Sequence, residues 1–229
     1  MSFLTESAFF GVAVSLLAYF AGTALQKKVK SAWMNPLLFS VIAVIAILLL
    51  TKVEYEAYYA GAKVISFFLT PATVCLAVPL YEKLGILKKN KLAILVGIGS
   101  GVLTAMVLIL GMSVLFGLSH EEYVTLLPKS ITTAIGMGVS EELGGYVTLT
   151  VAIIILTGIQ GSMMAPLLCR LFHITDPVAR GIGIGAASHA IGTSRAIKMG
   201  ETEGAMSGLS MAVTGIITVA AAGIFAGLY

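Results

Sequence analysis

The chain has 229 residues, of which 58% are hydrophobic and only 11% are charged. Soluble domains average about 45 to 50% apolar and 25% charged residues, so this composition excludes a water-soluble globular protein. The net charge of +3 is small, and the lysines cluster at the ends of apolar runs, which excludes a nucleic-acid-binding face. A membrane helix takes about 20 apolar residues, so we predict one integral membrane domain over residues 1–229, with about seven to nine segments.

Five apolar runs have the length of an ordinary membrane helix. They lie at about 8–26, 33–51, 92–117, 146–168 and 205–228. The first has no basic residue before it, so we predict a retained helix and not a cleaved signal peptide. Three further stretches, 53–86, 121–144 and 177–200, are apolar on average but contain proline, glycine and ionisable residues. The pattern predicts an all-α, polytopic membrane protein with interrupted or re-entrant helices.

The lysines indicate the orientation, because short cytoplasmic loops carry an excess of basic residues. Two lysine clusters, at 27–30 and 83–91, are separated by two crossings, so both are predicted to be cytoplasmic. The N-terminus and the acidic loop at Glu122 are then outside a plasma-type membrane. Arg170 and Arg180 also lie inside if 121–144 is re-entrant, and outside if it spans; the charge rule favours re-entry.

Two stretches of the chain are similar to each other. Phe68-Leu-Thr-Pro-Ala-Thr73 leads to Glu82-Lys-Leu-Gly85, and Leu126-Leu-Pro-Lys-Ser130 leads to Glu141-Glu-Leu-Gly144. With a re-entrant 121–144, the helices that follow run in opposite directions, as in the inverted repeats of many secondary transporters. The match is short and needs a gap, so chance similarity is the competing explanation.

In the first interrupted stretch, Thr70 and Thr73 flank Pro71. A proline frees a backbone carbonyl, which must find another partner in lipid. The stretch is therefore either an unwound segment that offers hydroxyls and carbonyls to a solute, or a kinked helix whose threonines bond back to the backbone. Taken alone, it favours the kinked helix.

The second stretch places Lys129, Ser130, Thr132 and Thr133 close together, with Glu141 further along. A charge near the bilayer centre costs about 2.5 to 3.5 kcal/mol, so such residues are functional candidates by default. We predict that the first four residues contact a substrate and that Glu141 carries a coupled proton. The alternative is a kinked helix in which Lys129 extends to one interface and Glu141 lies in the other.

The third stretch contains Ser188, His189, Thr193, Ser194 and Arg195, after a run of closely spaced glycines. A guanidinium can hold a carboxylate through two parallel hydrogen bonds, and neighbouring hydroxyls can bind the remaining oxygens. We predict a substrate contact for the hydroxyls and Arg195, and a proton-coupling role for His189. The alternatives are a histidine that packs between helices and an arginine that anchors the helix end at the interface.

The sequence does not predict an enzyme. It has no Gly-x-Ser-x-Gly motif and no His-Glu-x-x-His motif, and neighbours on a helix such as Ser188 and His189 do not face each other. Two cysteines, Cys75 and Cys169, are too few for a zinc site, which needs about four ligands. We therefore expect neither a metal nor a cofactor.

Five motifs together resemble the LrgB/CidB membrane family, whose plant relative is the plastid glycolate/glycerate translocator. They are Leu127-Pro-Lys-Ser-Ile-Thr-Thr133, Val139-Ser-Glu-Glu-Leu-Gly-Gly145, Ala187-Ser-His-Ala-Ile-Gly-Thr-Ser-Arg-Ala196, Asn35-Pro36 and the stretch from Thr70 to Tyr81. The resemblance covers nearly the whole chain. It implies transport of small carboxylates such as pyruvate, glycolate or glycerate, and a small LrgA/CidA-type membrane partner.

The sequence thus predicts a carrier for a small organic carboxylate, with a site formed by the interrupted stretches near the midplane. The resemblance also implies an alternative, a holin/antiholin-like protein that regulates murein hydrolases and lysis. A carrier should lose transport when one cationic site residue is removed, whereas a wide pore should only change its selectivity. The predicted partners thus include the lipid bilayer and the carboxylate, and whether the chain associates with itself is left open.

Overall fold

The computed structural model describes residues 9–29, 35–68, 71, 74–75, 77–82 and 84–229, and this part of the chain contains helices and no strand. Four helices, Phe10–Val29, Lys91–Phe116, Val147–Leu171 and Glu201–Ala226, are long and apolar enough to cross a membrane. The prediction of an all-α, polytopic membrane protein is confirmed. The chain divides into two compact units between Cys75 and Leu76, and each is described by itself.

The first unit contains α1 (Phe10–Val29), α2 (Pro36–Thr51) and α3 (Tyr55–Phe67). Helix α1 packs closely on α3, because a Cβ at Gly11 would overlap the backbone of Tyr58 and Ala62. The hydroxyls of Ser15 and Tyr58 share a hydrogen bond of 2.7 Å. Helix α2 has 16 residues, fewer than the predicted run at 33–51. Thr70 and Thr73 lie outside the described residues, so their role stays a prediction.

The second unit contains the other two interrupted stretches. Its helices are α4 (Ala77–Glu82), α5 (Leu84–Lys89), α6 (Lys91–Phe116), α7 (His120–Leu126), α8 (Thr133–Glu142), α9 (Val147–Leu171), α10 (Pro177–Met199) and α11 (Glu201–Ala226). The stretch at 121–144 forms α7 and α8, and the stretch at 177–200 forms α10, which has one non-helical residue in its interior. The predicted interruptions are present in both.

Helix α7 begins in a capping box. The Ser119 hydroxyl accepts a hydrogen bond from the Glu122 backbone N–H, and the Glu122 carboxylate accepts one from the Ser119 N–H at 2.8 Å. Hydrogen bonds from its own backbone N–H and from the Ser119 hydroxyl lower the pKa of the exposed Glu121 carboxyl below its usual value. Helix α7 ends at Leu126, because Pro128 has no backbone N–H with which to continue the helical hydrogen bonds.

Helices α7 and α8 fold back on each other and form hairpin 1, residues 120–142. The Thr150 hydroxyl contacts both arms, with hydrogen bonds of 3.0 Å to the Thr125 carbonyl and 2.7 Å to the Ser140 hydroxyl. Near the tip, Gly136 of α8 lies against Pro128. Hairpin 1 therefore ends where it began, as the predicted re-entry requires, and α9 begins at the same end of the unit at which α6 ended.

Helix α10 also reverses its direction and forms hairpin 2, residues 177–199. The reversal is at His189, where φ is 42° and ψ is −139°. A Cβ at Gly192 would lie 3.0 Å from the carbonyl oxygen of Ile184, and Ile184 shares an apolar cluster with Ala196. In a straight helix Ile184 and Ala196 would be about 18 Å apart, so the two arms lie side by side.

Most charged side chains of the second unit lie at its two ends. Helices α6 and α9 each run the length of the unit, so Lys91, Arg170 and Arg180 lie at one end, which we call the basic end. The carboxylates of hairpin 1, at 121–122 and 141–142, lie at the other, the acidic end. Hairpin 1 thus enters from the acidic end and hairpin 2 from the basic end.

Candidate functional site

The tips of the two hairpins meet on α9 at Ile154. Its side chain packs against Gly136 of hairpin 1, where a Cβ would overlap it. Its carbonyl oxygen lies 2.9 Å from the ring Nε2 of His189, at the tip of hairpin 2. The structure thereby brings the predicted site residues near both tips to one region of the second unit, which the two hairpins enter from opposite ends.

Two glycines of α9 allow hairpin 2 to approach this helix. A Cβ at Gly158 would lie 2.6 Å from the His189 ring, and one at Gly161 would overlap the Ser188 hydroxyl. Ser188 and His189 are each only 2% exposed. The tip of hairpin 2 therefore packs directly on α9 at these two glycines, where any larger side chain would displace the tip.

Hydrogen bonds hold the tip of hairpin 2 in its left-handed backbone conformation. The Thr193 hydroxyl donates to the His189 carbonyl at 2.9 Å and lies 2.9 Å from the hydroxyl of Ser207 on α11. A positive φ at a residue other than glycine is unfavourable by about 1 to 3 kcal/mol and persists only where the surroundings enforce it. Together with the ring contact to Ile154, Thr193 and Ser207 supply those surroundings.

The tip of hairpin 1 carries a cation beside hydroxyls. The Lys129 ammonium donates a hydrogen bond to the Ser130 hydroxyl at 2.9 Å, and Ser130 is buried. Thr132 is the N-cap of α8 but makes no side-chain cap hydrogen bond, and Thr133 is the first helical residue. The N-terminus of α8, with its partial positive charge, therefore opens onto the same tip as Lys129, an arrangement that favours a bound anion.

Arg195 lies in the second arm of hairpin 2, six residues after His189. Side chains on a helix tilt towards its N-terminus, which in this arm is the tip. The Arg195 Nε is buried without a hydrogen-bond partner, and no ion pair among the described residues involves Arg195 or Lys129. Ser194 is exposed, and its hydroxyl donates to the Ile191 carbonyl at 2.7 Å.

Glu141, the second predicted proton carrier, is in the last turn of α8 and exposed. This position is at the acidic end of hairpin 1, about 12 Å of helix from the first residue of α8. The structure therefore places His189 at the meeting point of the tips and Glu141 away from it.

A cavity of about 210 Å³ lies between α9 and the first arm of hairpin 2. Arg180 lines it towards the basic end and Ser188 towards the tip, with small residues such as Gly161, Ala165 and Gly183 between them. The Arg180 guanidinium also lies 3.8 Å from the Glu203 carboxylate of α11. The cavity leads from the basic end to one of the predicted site residues.

Sequence reasoning did not single out two sets of buried hydroxyls in the second unit. Thr125, Ser140 and Thr150 form a hydrogen-bonded group between hairpin 1 and α9. On α11, a second set lies on one face: Ser207, Ser210, Thr214 and Thr218, all buried. Their spacing of three and four residues within an apolar run is visible in the sequence and was the signal for such a polar face.

The model of the LrgB-like family matches residues 15–228, nearly the whole chain, so the chain belongs to that family. No solved structure matches the chain.

Proposed function

We propose that this LrgB-like membrane protein is a secondary transporter of small organic carboxylates. One observation carries the proposal: two re-entrant hairpins enter the second unit from opposite ends, and their tips meet at Ile154. Interrupted helices that meet in this way are typical of secondary transporters, whose solute binds at the interruption. Pyruvate, glycolate and glycerate have the size and charge that such a site would take.

In this proposal Lys129 and Arg195 neutralise the carboxylate, the first as a point charge and the second through its planar guanidinium. The hydroxyls of Ser130, Thr132 and Thr133 on hairpin 1 bind its oxygens from one side. The hydroxyls of Ser188, Thr193 and Ser194 on hairpin 2 bind these oxygens from the other side. His189 or Glu141 carries a coupled proton. The unpartnered Nε of Arg195 supports its part, because a buried N–H group normally has an acceptor.

The test is counterflow of labelled pyruvate, glycolate and glycerate in proteoliposomes that contain the purified protein. A carrier should exchange at least one of these acids for the same acid trapped inside, and unrelated solutes such as glucose should not enter. If labelled glucose enters as fast as the carboxylates, the protein forms a wide pore, in keeping with the alternative of a holin/antiholin-like regulator of murein hydrolases.

The remaining parts of the proposal concern the cellular setting. The basic end faces the cytoplasm in a plasma membrane and the N-terminus faces outwards, since basic residues are retained on the cytoplasmic side. A small LrgA/CidA-type membrane protein is the proposed partner, and co-purification from cells that produce both proteins tests this association.

A further inference from the structure

Helix α11 carries a buried hydroxyl to which the proposed function assigns no role. Thr214 is 1% exposed, and its hydroxyl has no hydrogen-bond partner among the described residues. Burying an unpaired hydroxyl costs about 1 to 3 kcal/mol, so such a group in a native protein calls for an explanation.

The usual explanation for a hydroxyl in a membrane helix does not apply to Thr214. Serine and threonine hydroxyls in such helices usually donate a hydrogen bond to the backbone carbonyl three or four residues earlier. Thr125, Ser162 and Ser194 do so in this structure, at 2.6 to 2.9 Å. Thr214 does not bond back in this way, and its hydroxyl remains able both to donate and to accept.

The position of Thr214 along α11 is level with the two tips. One turn earlier, the Ser210 hydroxyl donates to the Ile182 carbonyl of hairpin 2 at 2.9 Å. The first arm of hairpin 2 runs parallel to α11, so its tip lies beyond Ser210, near Thr214. The next residue, Gly215, faces the side chain of Ile135 in the first turn of α8, 3.1 Å from where a Cβ would be.

We propose that the Thr214 hydroxyl is a specificity-determining contact of the carboxylate site. It binds the oxygen on C2 of the substrate, and so favours 2-hydroxy and 2-oxo acids over carboxylates that lack this oxygen. The inference rests on the proposed function. Because Thr214 is buried, the substrate reaches it when a hairpin tip moves aside, the kind of gating movement by which alternating access proceeds.

The chemistry of the hydroxyl fits both kinds of acid. A hydroxyl can donate to the ketone oxygen of pyruvate, and it can donate to or accept from the 2-hydroxyl of glycolate. Acetate has the same carboxylate and no oxygen on C2, so it tests this contact without changing the charge. The cations Lys129 and Arg195 should bind the carboxylate of acetate as well as that of glycolate.

The experiment compares Thr214→Val, which keeps the side-chain shape and removes the hydroxyl, with Thr218→Val one turn further along the same buried face. For each variant, the half-saturating concentrations of glycolate, pyruvate and acetate are measured by exchange in proteoliposomes. Thr214→Val should raise those of glycolate and pyruvate about 3- to 10-fold and leave that of acetate unchanged, as expected for one lost hydrogen bond. Thr218→Val should change none of them, and Thr214→Ser, which keeps the hydroxyl, should retain the preference.

The outcomes separate this inference from the function on which it rests. If the unaltered protein exchanges carboxylates and Thr214→Val affects all three acids equally, or none, then Thr214 does not read the C2 oxygen and the carrier function stands. An unaltered protein that exchanges no carboxylate at all overturns both. Size-exclusion profiles of the variants distinguish misfolding from lost binding, and Thr214→Ala, which also removes the hydroxyl, is the second probe if Thr214→Val does not fold.

Discussion

The ring Nε2 of His189 lies 2.9 Å from the carbonyl oxygen of Ile154. A carbonyl only accepts hydrogen bonds, so Nε2 carries the ring proton, and Nδ1 of the neutral ring can take up another. His189 therefore has two separable features, a hydrogen bond that fixes the tip of hairpin 2 to α9 and a nitrogen that can titrate.

The first prediction separates these two features. His189→Gln keeps an amide that can donate to Ile154 but removes the titratable nitrogen, so uptake driven by a pH gradient should fall while counterflow persists. Uptake of labelled pyruvate into proteoliposomes, with and without the gradient, measures both. Glu141→Gln, at the exposed end of hairpin 1, is the parallel variant for the other candidate. Full proton-driven uptake by both variants would leave another ion or uniport as the mechanism.

The second prediction concerns the packing of hairpin 2 on α11. A Cβ at Gly185 would overlap the backbone carbonyl of Ser207, whereas one at Gly183, in the same arm, meets nothing within 4 Å. Gly185→Ala should therefore destabilise the fold by about 1 to 3 kcal/mol. Gly183→Ala should be neutral or stabilise it by up to about 1 kcal/mol, because alanine is the better helix former.

Thermal unfolding in detergent measures both glycine variants. A loss of this size should lower the melting temperature of Gly185→Ala by several degrees, with about 2 to 4 °C expected per kcal/mol for a chain of this length. Equal melting temperatures for the two variants would mean that the first arm does not pack on α11 as described.

The third prediction tests re-entry itself. In a protein with Cys75 and Cys169 replaced by alanine, Glu121→Cys at the acidic end and Thr175→Cys at the basic end should react with an impermeant maleimide from opposite sides of the membrane. We expect position 175 to be cytoplasmic and position 121 external. If hairpin 1 spanned the membrane instead, both positions would react from the same side.

Intact cells and inverted vesicles give the two directions of labelling. Reaction of position 121 from the cytoplasmic side, with position 175 reacting from outside, would leave re-entry in place and reverse the predicted orientation.

The sequence predicted the interrupted helices because prolines, glycines and ionisable residues are conspicuous in apolar runs. It left open whether 177–200 re-enters, because the reversal depends on the positive φ of His189. Hydrogen bonds of His189 with Ile154 and Thr193 maintain that conformation, and Ser207 in turn bonds to Thr193. Such contacts join residues far apart in the chain and cannot be read from local spacing. For the same reason the role of Thr150, which bonds to Thr125 and Ser140 of hairpin 1, was not predicted.

The inverted repeat inferred from residues 68–85 and 126–144 stays a prediction, because part of its first copy lies outside the described residues. The two segments that enter from opposite ends in the structure are instead hairpin 1 and hairpin 2. Their sequences differ, although both are rich in small and hydroxyl residues. The convergence of the two tips is thus a property of the packing on α9, above all of Gly158 and Gly161.

The last prediction rests on the difference between two cations. If the Arg195 guanidinium grips a carboxylate with two hydrogen bonds, Arg195→Lys should impair transport nearly as much as Arg195→Ala, since lysine supplies charge without the planar fork. Removing a buried charge contact costs about 2 to 5 kcal/mol, against about 0 to 1 for an exposed one, so a role in the site predicts at least about a tenfold loss in apparent affinity. Arg170→Lys, at an exposed position near the end of α9, is the matched control and should transport normally. The measurement is carboxylate uptake by equal amounts of folded protein, and near-normal uptake by both Arg195 variants would remove Arg195 from the site and leave Lys129 as its cation.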